Sequence, residues 1–275
     1  MTAPAPATAI DRWRSALAEW AIPPEILARA PESPWHLGTR QFAVRADNAL
    51  RESTPTPSRR VALDALPEGG TVLDVGCGAG AASLPLLARA SRLIAVDGDG
   101  SMLDELRTRV PAGVELTVVE GTWPEVAAAA GEADVAVCHH VAYNIADLDA
   151  AVIRMSEGAR HRVVLELTAV HPRTAQSFLW PMFHGIERPT RPIAADAVDV
   201  IRGCGFEPEV EQWEGRELLL ASDELTDLVA GARRYLCLGA DRDPEIKRAL
   251  EPRVVQRNGL IGLPPLPVVT VWWDT

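Results

Sequence analysis

Glycines at alternate positions are the feature that most constrains the fold of this chain. Gly76, Gly78 and Gly80 follow the apolar, β-branched run 71–75 and lead into the alanine-rich segment 79–90. Glycine adopts the backbone conformations that a tight turn needs, and it lets a ligand approach the main chain closely. The pattern predicts a strand, a turn and a helix, with the first N–H groups of that helix free to bind a negative or polar group.

Strands and helices are predicted to alternate after this turn. The further strands are 93–96, 114–119, 135–138, 162–167, 207–213 and 268–273, and the helices among them are 101–109, 125–130, 146–156 and 196–204. Five strand–helix units in series predict an α/β fold with a doubly wound, mostly parallel seven-stranded sheet that helices cover on both faces. The last strand stands at the C-terminus, where it can insert antiparallel.

Other parts of the chain extend this minimal sheet. Residues 1–9 are predicted to be a disordered tail, and residues 10–66 a helical N-terminal cap. The main domain is predicted at 67–275. It carries insertions at 171–192 and 222–257, and the second of these contains two helices.

Composition excludes several classes of protein. The 275 residues include 27 basic and 38 acidic side chains, which gives a net charge of −11 and argues against a nucleic-acid-binding surface. The hydrophobic fraction of 47 % is too high for global disorder. We expect no membrane span and no signal peptide. The four cysteines form no CxxC pair, so we expect free thiols, no metal site and a cytoplasmic location.

The charge of the ligand is indicated by Asp74, two residues before the first glycine. Gly76, Gly78 and Ala81 also satisfy the relaxed dinucleotide-binding pattern, so the glycines alone leave the ligand open. A carboxylate at the end of a buried strand is costly without a partner. It would repel a pyrophosphate and attract an ammonium or sulfonium group. Asp74 therefore favours a cationic ligand.

The segment V-L-D-V-G-C-G-A-G at 72–80 resembles motif I of the class I S-adenosylmethionine-dependent methyltransferases. The similarity extends over residues 59–214. Within it, L-I-A-V-D at 93–97 resembles the family's second strand with its terminal acid, and residues 134–144 resemble motif IV. The resemblance implies a Rossmann-like methyltransferase fold, S-adenosylmethionine as cofactor, and a place among the small-molecule methyltransferases.

The resemblance also implies which residues contact the cofactor. Asp97 would accept hydrogen bonds from both ribose hydroxyls, and Met102 would pack on the adenine. The family often has an Asp near Thr122, which this chain lacks, so Thr122, a backbone group or a stacked Trp123 would replace it. The full predicted set is Asp74, Gly76, Cys77, Gly78, Gly80, Asp97, Gly98, Met102, Gly121, Thr122, Trp123, Cys138 and His139.

Histidines are the candidates for acid–base catalysis, because a base helps when the acceptor is a hydroxyl or a protonated amine. The sequence places His140 best, with Tyr143 three residues on, where the two would share a helical face. His139 is expected on the cofactor side. His171 and His184, in the first insertion, are alternative bases.

The residues together predict an enzyme that moves a methyl group to an oxygen, nitrogen or carbon atom of a small-molecule acceptor. Trp35, Phe42 and Arg45 of the N-terminal cap are candidates to close over the cofactor. We expect no nucleic-acid partner and no membrane partner, and a homodimer is left open. The alternatives are an NAD(P)-dependent oxidoreductase, which uses a similar glycine loop, and a non-catalytic protein that binds S-adenosylmethionine.

Overall fold

The computed structural model describes residues 7–35, 39–257 and 259–275. Its strands are β1 (Gly70–Val75), β2 (Ala90–Asp97), β3 (Glu115–Glu120), β4 (Ala133–His139), β5 (Ala159–Thr168), β6 (Glu209–Trp213), β7 (Leu219–Ser222), β8 (Val255–Arg257), β9 (Leu260–Leu263) and β10 (Val268–Asp274). Its α-helices are α1 (Ala9–Ala18), α2 (Pro24–Leu27), α3 (Thr39–Arg51), α4 (Pro57–Ala65), α5 (Gly100–Arg107), α6 (Ala127–Ala130), α7 (Leu148–Gly158), α8 (Leu179–His184), α9 (Ala194–Gly203), α10 (Leu225–Tyr235) and α11 (Asp243–Leu250).

The main sheet has seven strands in the order β3-β2-β1-β4-β5-β10-β6. β1 to β5 pair in parallel, and β10 pairs antiparallel with both β5 and β6. This confirms the predicted doubly wound, mostly parallel seven-stranded sheet. The strand order reverses between β1 and β4, and a crevice forms outside the carboxyl ends of strands at such a switch point.

Two apolar layers cover the two faces of this sheet. The first contains Leu73 and Val75 of β1 together with buried residues of α7 and α9. The second contains Val72 of β1 together with buried residues of α4 and α5. Successive side chains of a strand point to opposite faces. The strand-end residues Asp74, Asp97, His139 and Glu166 therefore all lie on the face of the second layer.

The helix predicted at 79–90 is not present. After β1 the chain forms a series of turns with a single 3₁₀ turn at Leu84–Leu86, and β2 begins already at Ala90. Gly80 has φ of +93°, and a Cβ placed there would lie 2.4 Å from Leu106. The backbone at Gly80 thus packs against α5 in a conformation that no right-handed helix contains. The predicted helix N-terminus with free N–H groups is therefore wrong.

A second, three-stranded sheet, β7-β9-β8, was not predicted. Its strands have three or four residues and are mostly half-exposed, so they carry little periodic signal. It accompanies α10 and α11, the two helices expected in the insertion 222–257. At the other end, residues 1–6 of the predicted tail lie outside the described residues. Thr8 belongs to the fold, since its side chain caps α1 by accepting from the Asp11 N–H.

No helix among the residues that the structure describes is long and apolar enough to cross a membrane. In the same part of the chain, no group of three or more histidine, cysteine or acidic side chains is arranged to hold a metal ion. The four cysteines are free thiols.

Candidate cofactor and acceptor site

The glycine loop lies at the switch point of the main sheet and is tied to β2. The N–H groups of Gly76 and Cys77 donate to the carbonyl oxygen of Val96, at 2.8 and 3.0 Å. Gly76 has φ of +69°, and a Cβ there would lie 2.5 Å from the side chain of Val141, in the loop after β4. Only glycine fits at this position, because the loops after β1 and β4 touch there.

Gly78 serves a different purpose from its neighbours. It has φ of +49°, and a Cβ built on it would meet only Phe42 of α3, at 3.8 Å. Its N–H donates to Oδ2 of Asp97, at 2.8 Å. No tight packing requires a glycine at this point, so the space in front of Gly78 is available for a ligand that approaches the backbone.

The carboxylate of Asp97 joins the end of β2 to the glycine loop. Oδ2 accepts from Gly78, and Oδ1 accepts from the Asp99 N–H at 2.9 Å. A carboxylate has about four lone-pair positions, so each oxygen can accept one more hydrogen bond. The geometry fits a ligand with two neighbouring hydroxyl groups.

Asp74 is a buried carboxyl group without a full set of partners. Its side chain is 1 % exposed, and Oδ2 has no hydrogen-bond partner in the described part of the chain. Burial raises the pKa of Asp74 to about 7, and the charge of Asp97 adds to this while Ser83 opposes it. A cationic ligand group at this position would pair with the unpartnered carboxyl oxygen of Asp74. It would also offset the repulsion between the two acids. The residues therefore fit S-adenosylmethionine, whose amino and sulfonium groups are positive.

The ends of β2 and β3 meet on the other side of Asp97. A Cβ placed on Gly98 would lie 4.0 Å from both the Gly121 carbonyl oxygen and Oγ1 of Thr122. Met102, in the first turns of α5, is buried. The structure thus brings Gly98, Gly121 and Thr122 together, and their contact with the cofactor stays a prediction.

A cluster of titratable groups lies at the ends of β4 and β5, centred on the buried Glu166. Nε2 of His140 donates to Oε1 of Glu166 at 2.9 Å, and the His140 N–H donates to the Glu166 carbonyl oxygen at 2.6 Å. The hydroxyl of Ser58 in α4 donates to Oε2. His139 stands directly opposite Glu166 in the sheet, with its Nδ1 3.9 Å from Oε2.

The charges of this cluster are set by burial and by these hydrogen bonds. Burial alone would raise the pKa of Glu166, but the neighbouring His139 and His140 and the hydroxyl of Ser58 hold that pKa well below its usual range. Burial lowers the pKa of His139, although the charge of Glu166 opposes this. Glu166 is therefore an ionised carboxylate. Since such a group only accepts, Nε2 of His140 carries a proton, and Nδ1 is the ring nitrogen that faces away from Glu166.

Backbone conformation aims His140 out of the sheet. His140 has φ of 60°, the left-handed region that non-glycine residues seldom occupy. Unlike His139 and Glu166, it is exposed. The two hydrogen bonds to Glu166 hold this conformation and place the imidazole at the mouth of the crevice.

Comparison with known proteins found a family model that matches part of this sequence. Residues 72–161 match the family model described as "Methyltransferase domain". The match spans about a third of the chain, from β1 into β5. It agrees with S-adenosylmethionine as the cofactor that the resemblance of the glycine loop implied. The matched residues contain the glycine loop, Asp97 and both histidines of the Glu166 cluster.

Solved structures show the same fold. The YcgJ protein of Bacillus subtilis is similar with a TM-score of 0.52 and 17 % identity, over 79 % of this chain and 97 % of that one. A cyclopropane-fatty-acyl-phospholipid synthase-like protein of Lactobacillus casei is similar with a TM-score of 0.51 and 16 % identity, over 96 % and 99 %. A comparison with curated proteins found no match to the chain.

Trp123 and Cys138 of the methyltransferase domain belong to the core. The indole N–H of Trp123 donates to the Ala151 carbonyl oxygen of α7 at 3.2 Å, and its ring is buried in the first layer. Cys138 lies in the same layer, on the face opposite Asp74 and Asp97, and burial raises the pKa of its thiol. The structure thus favours a packing role for Trp123 over stacking on adenine. Cys77 is also buried, in the second layer.

Substitution of Trp123 tests this assignment. Trp123→Phe removes the indole hydrogen bond and part of the buried volume, so the free energy of unfolding should fall by about 1–3 kcal/mol. Cofactor affinity of the methyltransferase domain should stay unchanged. Urea denaturation and calorimetry measure the two effects, and a tenfold loss of affinity in the folded variant would return Trp123 to the adenine site.

Tyr143 does not pair with His140 as predicted. The helical turn after β4 comprises only Ala142–Asn144, so His140 lies outside it. The Tyr143 hydroxyl donates to the Thr168 carbonyl oxygen at 2.8 Å, and its ring stacks on Trp13. Burial raises the pKa of this phenol above its ordinary value. Tyr143 therefore joins the loop after β4 to the core and does not share a face with His140.

The two alternative bases are occupied by structural contacts. Nδ1 of His171 accepts from the Arg173 N–H at 3.2 Å, and burial, with Arg173 and Arg188, lowers the pKa of His171 to about 3. A ring so weakly basic is a poor proton acceptor near neutral pH. His184 lies on α8, where its Nε2 donates to the Leu236 carbonyl oxygen at 2.8 Å.

One of the three candidates to close over the cofactor lies against the glycine loop. Phe42 approaches Gly78, as described above. Arg45 is ion-paired with Glu217 at 2.7 Å, and Trp35 is exposed beside Arg173. Sequence reasoning missed two residues of the Glu166 cluster, Glu166 itself and Ser58. The sequence signal for Glu166 was the presence of an acid within the apolar run 163–167.

Proposed function

We propose that this protein transfers a methyl group from S-adenosylmethionine to an oxygen, nitrogen or carbon atom of a small-molecule acceptor. The observation that carries the proposal is the pair of acids at the switch point, Asp97 tied to the glycine loop and Asp74 buried beside it. When bound, the cofactor supplies an electrophilic methyl group on a positively charged sulfur. Methyl transfer is then largely a matter of holding the acceptor in line.

The cofactor would be held by residues of the first two strands and their loops. Asp97 would accept from the ribose hydroxyls with its remaining lone pairs. Asp74 would face a positive group of the methionine part, and Gly78 would give the ligand access to the backbone. Gly98, Gly121 and Thr122 would border the adenine, with Met102 packed nearby.

Acid–base catalysis is assigned to His140, with Glu166 as its positioning residue. Glu166 fixes the tautomer in which Nδ1 of His140 carries a lone pair. A proton leaving an acceptor hydroxyl or ammonium would pass to that nitrogen, and the carboxylate would stabilise the imidazolium that forms. His139, whose side chain is 13 % exposed and whose pKa is lowered by burial, would lie against Glu166 on the cofactor side of the cluster.

The raised pKa of Asp74 predicts a pH dependence of cofactor binding. Below pH 7 the carboxyl group of the free protein is largely protonated, whereas a cationic ligand favours its ionised form. Binding therefore releases a proton, and affinity should rise with pH by up to about tenfold per unit below pH 7. Calorimetry from about pH 5.5 to 7.5 measures the slope. Asp74→Asn should remove it, and an equal slope in that variant would contradict the assignment.

Turnover separates the enzyme from a non-catalytic binding protein. We expect release of S-adenosylhomocysteine when the protein is incubated with S-adenosylmethionine and mixtures of soluble metabolites that carry hydroxyl, amino or activated carbon groups. A protein that binds the cofactor but gives no product with any acceptor would contradict methyl transfer.

The acidic net charge supports a cytoplasmic, soluble acceptor rather than nucleic acid or a membrane. A homodimer is compatible with the proposal, which does not require it.

A further inference from the structure

Two arginines of the first insertion lie in an aromatic cluster beside the proposed acceptor side. The guanidinium of Arg173 lies 4.4 Å from the ring centre of Trp35 and 4.6 Å from that of Tyr235. The guanidinium of Arg188 lies 4.5 Å from the ring centre of Trp180. The rings of Trp180 and Tyr235 contact each other edge to face at 5.5 Å, so both arginines belong to one cluster.

Neither of these arginines has an acidic partner among the residues that the structure describes. Arg188 is 8 % exposed and donates only to the backbone carbonyl oxygens of Trp20 and Ala21. No carboxylate of the described residues lies within ion-pair distance of Arg173 or Arg188. Elsewhere in the same insertion, by contrast, Arg191 is paired with Asp196. The positive charge of the cluster is therefore uncompensated within the part of the chain that the structure describes.

Hydrogen-bond donors are also left over in this cluster. Arg173 Nη1, Arg188 Nε and Trp180 Nε1 are buried and lack a partner among the described residues. Burial, and the charge of Arg188, lower the pKa of Arg173, although Tyr235 opposes this. Two buried positive charges with unused hydrogen-bond donors are costly. An anion with several acceptor oxygens would neutralise the charges and accept from the donors.

The cluster adjoins the loops where the acceptor is expected. His171 lies three residues after the end of β5. Its ring stacks on that of Trp20, with 4.0 Å between ring centres, and lies 5.1 Å from the ring centre of Tyr143. Tyr143 belongs to the loop after β4, three residues beyond His140. The guanidinium of Arg188 lies 5.5 Å from the ring centre of Trp20, so the cluster is linked through Trp20, His171 and Tyr143 to the loops after β4 and β5.

We propose that Arg173 and Arg188 form a binding site for an anionic group, carboxylate or phosphate, of the methyl acceptor. The assignment rests on the proposed function, because it takes the ligand to be the acceptor. The planar guanidinium groups suit bidentate binding of such oxygens.

Binding of small anions to the full-length protein tests the site. Benzoate, its neutral analogue benzamide, and inorganic phosphate are titrated by calorimetry with and without S-adenosylhomocysteine. We expect saturable binding of benzoate or phosphate and none of benzamide. Benzoate binding assigns the site to carboxylates, and phosphate binding to phosphate esters. Arg173→Met should weaken anion binding at least about tenfold and leave cofactor affinity unchanged.

Variants keep the test independent of folding. Arg173→Lys retains the charge, so it should restore part of the binding that Arg173→Met loses. Arg253→Met is the matched control, since Arg253 also stacks on a ring, that of Phe178, but is exposed and outside the cluster. Failure of both anions to bind, or equal binding by Arg173→Met, would overturn the inference. Failure of S-adenosylhomocysteine to bind would instead overturn the proposed function.

Discussion

Asp97→Ala is expected to weaken the binding of S-adenosylhomocysteine by about a hundredfold or more. The variant would remove the two proposed charge-assisted hydrogen bonds to the ribose, each of which contributes about 1.5–3 kcal/mol. It also frees the N–H of Gly78, so the glycine loop loses its link to the end of β2. Calorimetry on the purified variant measures the loss.

A matched variant separates this effect from general loss of negative charge. Asp104 lies on α5, is exposed, and pairs only with Arg107 of the same helix. Asp104→Ala should bind the cofactor like the wild type, because surface ion pairs contribute little. Equal affinities of Asp97→Ala and the wild type would show that the cofactor does not use this carboxylate.

His140→Ala is expected to lower the turnover of an identified acceptor by about 10²–10⁴-fold, the usual range for loss of a general base. Cofactor affinity should stay within about twofold, because His140 acts on the acceptor. Single-turnover kinetics and calorimetry give the two values. Unchanged turnover would remove His140 as the base.

Glu166→Gln tests the positioning role through a pH profile. The glutamine keeps a hydrogen bond to His140 but removes the charge that favours the protonated imidazole. We therefore expect lower turnover, with the acidic limb of the rate profile moved to lower pH. A variant that is only less stable would not move that limb. His161→Ala is the control for both variants, because His161 is an exposed histidine near the other end of β5.

The sheet and the positions of the strand ends at the crevice were predictable because their signals are local. Apolar runs at regular intervals predicted the strands, and the glycines with Asp74 and Asp97 marked the ends of β1 and β2. The helix at 79–90 was wrong because alanine content indicated helix, whereas packing of Gly80 against Leu106 decides the backbone there. Intrinsic propensity is weak beside such a tertiary contact.

The acceptor side was harder to predict because its contacts join distant parts of the chain. Glu166 looked like one acid in an apolar strand, and only the pairing of β4 with β5 sets it opposite His139. Ser58 reaches the same carboxylate from α4. The spacing of His140 and Tyr143 suggested a shared helical face, but the positive φ of His140 turns the two side chains to different partners. Such arrangements follow from strand register, which a single sequence does not reveal.

Calorimetric titration of the unmodified protein with S-adenosylhomocysteine tests the central claim most directly, with NADPH titrated under the same conditions. We predict saturable binding of S-adenosylhomocysteine with a stoichiometry of one per chain, and no binding of NADPH. Saturable binding of NADPH without binding of S-adenosylhomocysteine would contradict the account.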